Sequence, residues 1–431
     1  MMSTPIVELK QVGKSFKRPD GTPRAVLENV DFTLREGEIV ALLGQSGSGK
    51  STLLRIMAGL VGADAGDVSY RGQPLFGPAR GISMVFQSFA LFPWLTVQQN
   101  VELGLEARGL PASEREERAT KAIEMIGLGG FEGALPRELS GGMRQRVGIA
   151  RALVVQPDVL LMDEAFSALD VLTGERLRED ILELWGDGQM STKAILVVSH
   201  NIEEAVLMAD RVLIFSSNPG RVRFQLQISL KRPRDPDSRE VRALIDEVYA
   251  LMTAGAIQTG RSADETPRLR LTDVLPQAEV GRMEAVLEML HEEPYNGRAD
   301  LPKLVEDSEL SDEEMLTTAQ ALALLDLAKV ESGDLSITTL GQRYVEADNV
   351  QRKLLFGRQL LARVPLAAHI RHCLEQESSR ELARKPFLKL LRDAMEPQEA
   401  EDVLKVVIEW ARHGEVFEFD FNTGMIHLSQ D

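Results

Sequence analysis

Nine consecutive residues, Gly44-Gln45-Ser46-Gly47-Ser48-Gly49-Lys50-Ser51-Thr52, have the make-up of a loop that holds phosphate. They satisfy G-x-x-x-x-G-K-[ST]. The glycines let the backbone curl tightly, so that successive N–H groups can face an anion. Lys50 is placed to reach the outer phosphates of a nucleotide, and the Ser51 hydroxyl to hold Mg2+. A second cluster, Val159-Leu160-Leu161-Met162-Asp163-Glu164, ends four apolar residues in two carboxylates. Asp163 is placed to bind the metal, directly or through water. Glu164 is placed to take a proton from an attacking water. A strand ending in two acids is common and says little alone. Beside a phosphate loop it points to cleavage of a nucleoside triphosphate.

These groups need elements to position them. Residues 39–43 are a short apolar run before the loop, and Leu53, Leu54, Met57 and Leu60 follow it at helical spacing. Strand, loop and helix in that order would add the helix N-terminus to the phosphate site. Residues 159–162 and 194–198 read as further buried strands, so the first part is expected to be an α/β domain with a largely parallel sheet. Residues 231–238 (KRPRDPDS) are a proline-rich break, and Val241, Leu244, Ile245, Val248 and Leu251 then share one helix face. Periodicity is lost over 253–267. The expected division is 1–255, a linker at 256–277, and a second domain at 278–431.

The second domain has a different grammar. Residues 283–290, 301–305 and 314–327 read as helices, and 328–338 as two strands around Ser332-Gly333. That order is winged-helix-like. Residues 399–412 and 416–428, turning at Asn422-Thr423-Gly424, suggest a second copy. The fold expected is therefore a mainly α, winged-helix-like domain, duplicated, behind the α/β domain.

Composition narrows the partners. Of 431 residues, 44 % are hydrophobic and 27 % charged, enough for sizeable cores. No run of 18 apolar residues suggests a membrane span, and MMSTPIVELK lacks the features of a signal peptide. The single cysteine, Cys373, cannot form an internal disulfide and fits a reducing compartment. His369 and His372 lie near it, but no second ligand cluster accompanies them. Net charge is −17: residues 1–264 hold 30 basic and 34 acidic residues (−4), residues 265–431 hold 19 and 32 (−13). So acidic a second part disfavours nucleic acid as its main partner.

LSGGMRQRVGIARAL (139–153) resembles the signature motif of ABC-transporter ATPases. From the residues alone, Ser140 can cap a helix and Gly141-Gly142 can let N–H groups approach an anion. The resemblance implies that Ser140, Gly141 and Gly142 contact the γ-phosphate of ATP held by a second subunit. Other motifs follow in that family's order. Gln87 matches the Q-loop glutamine, which links metal and water to a membrane subunit. Asp170, in SALD, matches the D-loop at the dimer seam. His200 matches the switch histidine on the γ-phosphate, and Phe16 the aromatic that stacks on adenine. Ala165 and Asn201 depart from the commoner Pro and Asp without removing a reacting group. Met143 stands where many members have Gln.

The resemblance covers residues 5–255, and it implies ATP and Mg2+ as ligands, with Ser51, Gln87 and Asp163 around the metal. FALFPWLTVQQNVELGL, DEAFSALDVLT and ADRVLIFSSNPGRV resemble ATPases of nitrate, sulfonate, taurine and bicarbonate importers. That implies a dimer with a second copy or a paralogous chain on the cytoplasmic face of the membrane, a separate permease, and indirectly a solute-binding protein. Phe89, Leu91, Phe92 and Trp94 are the candidate permease surface or, alternatively, subdomain core. Residues 278–431 resemble the AAA-associated C-terminal domain of some members, expected to regulate or bind protein. One rival is a non-transport ABC ATPase acting on ribosomes or DNA, but a single phosphate loop and the lack of sustained heptads argue against it. Another is a DNA-binding tail, but EMLTTAQALALLDL has no Lys or Arg for phosphate or guanine.

Overall fold

The computed structural model describes residues 4–17, 21–167, 169–188, 190–216, 219–257, 269–331, 333–395 and 397–428. Ala168 of SALD, Ser332 of the expected turn and half of the expected linker (258–268) lie outside the described residues. The chain divides into two units, 1–244 and 245–431. The division falls inside a helix.

The first unit has two sheets. Strands β1 (Pro5–Lys17), β2 (Pro23–Arg35), β4 (Ala65–Tyr70) and β5 (Gln73–Pro74) form an antiparallel sheet in the order β2-β1-β4-β5. The other sheet contains β3 (Glu38–Leu43), β6 (Ile82–Val85), β7 (Val159–Asp163), β8 (Ala194–Val198), β9 (Arg211–Phe215) and β10 (Val222–Gln227). Its order is β10-β9-β3-β8-β7-β6, parallel except for β10. Strands β7, β8 and β9 are buried at every residue, which is why residues 159–162 and 194–198 read as unbroken apolar runs.

Helices fill both sides. Leu53, Leu54, Ile56 and Met57 of α1 (Lys50–Met57) share a core with Ile6, Leu9, Val30 and Leu34 of the antiparallel sheet. Helices α2 (Val97–Ala107), α3 (Ala112–Met125) and α4 (Gly141–Leu153) build a separate core around Val101, Ile123 and Val147. Helix α5 (Val171–Gly186) joins that second core through Leu177 and Ile181. Helix α6 (Ile202–Met208) follows β8, and α7 (Arg239–Ile257) carries the chain out of the unit. Each of the two cores buries some twenty apolar side chains, far more than a strand–loop–helix would need by itself, and hydrophobic burial is the main term holding such cores.

The second unit is mainly helical. It begins within α7, where Val248, Tyr249 and Thr253 are buried and the Tyr249 hydroxyl donates to Asp312. Then come α8 (Val280–His291), β11 (Arg298–Asp300), α9 (Leu301–Asp307), α10 (Asp312–Leu324), β12 (Ala328–Glu331) and β13 (Asp334–Ile337). Helices α11 (Thr339–Glu346) and α12 (Asn349–Arg363) follow. The last part is α13 (Pro365–Gln376), β14 (Glu381–Ala383), α14 (Lys385–Arg392), α15 (Pro397–His413), β15 (Glu418–Asp420) and β16 (Met425–His427). The small sheets run β11-β13-β12 and β14-β16-β15. Strands β11 and β14, three residues each, were not expected from the sequence. His369, His372 and Cys373 lie on α13, with Cys373 Sγ 3.7 Å from His369 Nε2.

Candidate functional site

Four parallel strands end at one edge of the larger sheet, and each delivers a candidate residue. β3 leads into Gly44, β6 into Gln87, β7 into Glu164 and β8 into His200. The register pairs Leu42 with Val198, Asp163 with Val198, and Val85 with Met162, so these exits are adjacent. The C-terminal edge of a parallel sheet is where open α/β proteins bind ligands.

The loop after β3 turns through left-handed backbone at Gly47 (φ 76°) and Gly49 (φ 94°). At Gly49 an added Cβ would lie 2.9 Å from Leu27 Cδ2, so glycine is needed there twice over. Lys50 is buried, and its ammonium donates to the carbonyls of Gly44 (2.5 Å) and Gln45 (2.9 Å) in its own loop. Ser48 is buried with no partner for its Oγ among the described residues. An unsatisfied buried hydroxyl is costly, and a phosphate oxygen would satisfy it.

The Ser51 hydroxyl donates to Asp163 Oδ1 at 2.9 Å. Burial raises the Asp163 pKa, while Ser51, Arg55 and Lys50 pull it back down. A buried carboxylate beside a hydroxyl is the oxygen donor set that a hard divalent cation takes. Gln87 Nε2 donates to Glu164 Oε2 at 2.7 Å, and His200 Nδ1 lies 3.9 Å from the same oxygen. Glu164 has φ 48°, a left-handed backbone that is uncommon for a residue with a side chain. Such strain collects at functional positions. Beside Glu164 and His200 opens a cavity of about 250 Å³, lined also by Asp170, Ser199 and Glu204.

Ser140 caps α4, its Oγ accepting from Met143 N at 3.2 Å. Asp170 caps α5, accepting from Thr173 N at 3.0 Å, and those bonds lower its pKa. Asn201 caps α6, accepting from Glu204 N at 2.6 Å, which accounts for its tolerance in place of Asp. The helix of Ser140 belongs to one core and the helix of Lys50 to the other. Phe16, on β1, is 45 % exposed with Lys14 Nζ 5.4 Å from its ring centre. In the 86–95 segment, Trp94 is 70 % exposed and stacks edge-on against Phe92, whereas Leu91 packs into the helical core and Arg144 covers Phe89.

Several residues escaped sequence reasoning. Arg151 donates to Ala90 O (2.6 Å) and Phe89 O (3.0 Å), tying α4 to the Gln87 segment. Glu204 is buried, and burial pushes its pKa up to about 7. Arg232 and Arg234 grip the end of α6. For Arg151 and Glu204 the only signal was a charge inside a helical run, and for Arg232 and Arg234 a basic cluster in the proline-rich break.

The strand-edge geometry and the phosphate loop define a P-loop protein that binds and cleaves a nucleoside triphosphate. Residues 27–167 match the family described as "ABC transporter", and residues 302–420 the one described as "C-terminal AAA-associated domain". The chain is 44 % identical over 236 residues to a nitrate import ATP-binding protein of Synechocystis sp. (55 % of this chain, 86 % of that protein). It is 38 % identical over 254 residues to an aliphatic sulfonates import ATP-binding protein of Bacillus thuringiensis subsp. konkukian (59 % and 98 %). It is 43 % identical over 234 residues to a taurine import ATP-binding protein of Rhizobium johnstonii (52 % and 88 %). The chain belongs to the ATP-hydrolysing, ATP-binding subunits of the ABC transporter family. Among the described residues no helix is long and apolar enough to cross a membrane.

Proposed function

We propose that this chain energises an importer, hydrolysing ATP to drive uptake, through a separate permease, of a solute of the nitrate, sulfonate, taurine or bicarbonate type. The names of its relatives support that class. The observation that carries the chemistry is the convergence of Gln87 and His200 on one oxygen of Glu164.

In this reading, Gly44 to Thr52 wrap the phosphates with backbone N–H groups, Phe16 stacks on adenine, and Lys50 turns from its own loop carbonyls to the β- and γ-phosphates. Ser51, Asp163 and Gln87 would hold Mg2+, which would supply neutralisation of the phosphate charge. Glu164 takes the proton of the attacking water as its oxygen bonds to the γ-phosphorus. The bond to the β–γ bridging oxygen breaks, giving ADP and phosphate. Gln87 must first release Glu164, so movement of the 86–95 segment gates the base. His200 steadies the γ-phosphate. Ser140, Gly141, Gly142 and Asp170 act on the nucleotide of a second copy, and the two-core arrangement supports that division of labour. Exposed Phe92 and Trp94 support a permease partner, with the dimer on the cytoplasmic face of the membrane and a solute-binding protein delivering cargo.

Glu164→Gln should cut hydrolysis by about a hundredfold or more, with ATP-dependent dimers accumulating on gel filtration. Turnover within twofold of the parent would sink the assignment.

The second unit reads as two winged-helix copies that regulate the ATPase or bind protein. The order helix–strand–helix–helix–strand–strand occurs at α8–β13 and again at α13–β16, and both sheets place the third strand between the other two. Helix α10, the reader position in the first copy, has three acidic residues in its first turn and no basic residue in its last. That supports a protein partner over DNA. Retardation of random-sequence DNA at low salt would overturn this part of the reading.

A further inference from the structure

The last carbonyls of a helix have no partner within it. In α6, two arginines from outside supply them. Arg234 Nη1 donates to Val206 O and Ala209 O, both at 2.6 Å, and lies 3.4 Å from Leu207 O. Arg232 Nη1 takes Met208 O. The rest of the Arg234 guanidinium folds back on Leu230 O, at 3.0 Å from Nε and 2.7 Å from Nη2. One planar fork therefore joins the helix end to the chain segment leaving the sheet, a geometry that lysine cannot reproduce. Arg232 also pairs with Asp210 at 2.9 Å, and Asp210 accepts from the backbone N–H of Ile39, near the start of β3. Burial and the neighbouring Arg232 bring the Arg234 pKa down to about 10, which leaves it charged at neutral pH.

The other end of α6 is the functional one. His200 immediately precedes the Asn201 cap. With only seven residues, about 10 Å of helix, the element has no room to flex and moves as a body. The segment gripped by Arg232 and Arg234 runs directly into α7, the helix that enters the second unit.

We propose that Arg234, seconded by Arg232, is a positioning residue for hydrolysis. Through it the segment leading to the second unit sets the placement of His200. This rests on the reading of His200 as the γ-phosphate contact. A tension or twist in the segment at 230–238 would shift the carbonyl end of α6 and, with it, the imidazole. The class of device is a mechanical linkage between the 230–238 segment and the catalytic edge.

The test is steady-state ATP hydrolysis by the full chain carrying Arg234→Ala, Arg234→Lys, His200→Ala and the double change Arg234→Ala with His200→Ala. Rates are normalised to folded protein from thermal melts. Arg234→Ala should lower kcat about five- to tenfold with KM for ATP within about twofold. In the His200→Ala background the same change should alter the residual rate by less than about twofold, because its route of action is already gone. Where Arg234→Ala does not fold, Arg234→Lys serves in both backgrounds and should show the same dependence on His200. An unchanged kcat, or an equal loss with and without His200, overturns the proposal while leaving the His200 assignment intact. Near-normal turnover of His200→Ala alone overturns that assignment, and the proposal falls with it.

Discussion

The Ser51 hydroxyl and the Asp163 carboxylate are joined by a single 2.9 Å bond in a buried setting. Asp163→Asn preserves size and an acceptor for Ser51 while removing the charge. Hydrolysis should fall by about a hundredfold or more, given what placed charge at a phosphoryl site contributes, with little change in melting temperature. A variant that keeps its turnover under limiting Mg2+ would separate Asp163 from the metal. Glu204 behaves differently. Its pKa in the folded protein is raised by burial to about 7, above the ordinary carboxylate value. The folded state therefore holds a proton that the unfolded chain has lost, and stability declines as pH rises from the ordinary value through 7. Glu204→Gln, neutral at every pH, should match the parent in melting temperature near pH 5. It should exceed the parent at pH 8 by on the order of 3 kcal/mol. Parallel melting curves from pH 5 to 8 would count against the buried-acid account. The sequence made Asp163 legible because a strand of four apolar residues ends on it. It hid Glu204, because a glutamate in the first turn of a helix ordinarily points to water and favours the helix dipole.

Among elements, α12 meets the turn after α15 at a pair of glycines. An added Cβ on Gly357 would lie 2.4 Å from Gly414 O, and one on Gly414 would lie 2.8 Å from Gly357 Cα. Neither backbone can yield without separating the helices that enclose Phe356 and Trp410, whose rings stand edge to face. Gly357→Ala should destabilise the second unit by about 1–3 kcal/mol or more. Basal hydrolysis by the first unit should survive. A melt of the variant should show the second unit unfolding earlier, and an unchanged melt would deny the close contact. Helix α15 was readable because its apolar spacing repeats over several turns, as in Val403, Leu404, Val407 and Ala411, whereas α12, of similar length, was not among the helices expected. Strands β11 and β14 were not readable. Three residues give no period to count, and they become strands only because the outer edges of β13 and β16 offer backbone partners. The phosphate loop needed no such help, since its glycines and its lysine are required locally.

At the scale of the whole chain, the proposed reading assigns the signature residues, which pack in a different core from the phosphate-loop helix, to the nucleotide of a second copy. Glu164→Gln is the variant in which that association becomes visible. The charge asymmetry, −4 against −13 over residues 1–264 and 265–431, was visible from sequence. Helix α7 has one apolar face, Val241, Leu244, Ile245, Val248 and Leu251, and periodicity cannot tell which core each turn enters. That shared helix has a practical corollary. Its later turns, with Val248, Tyr249 and Thr253, are interior parts of the second unit although they precede residues 258–268. A protease site engineered into 258–268 would sever the covalent chain and leave the particle whole. The two fragments should travel as one species on a native column and part only in denaturant. Scission and dissociation are separate events here, because the N-terminal fragment keeps its own anchor on the far side of the cut.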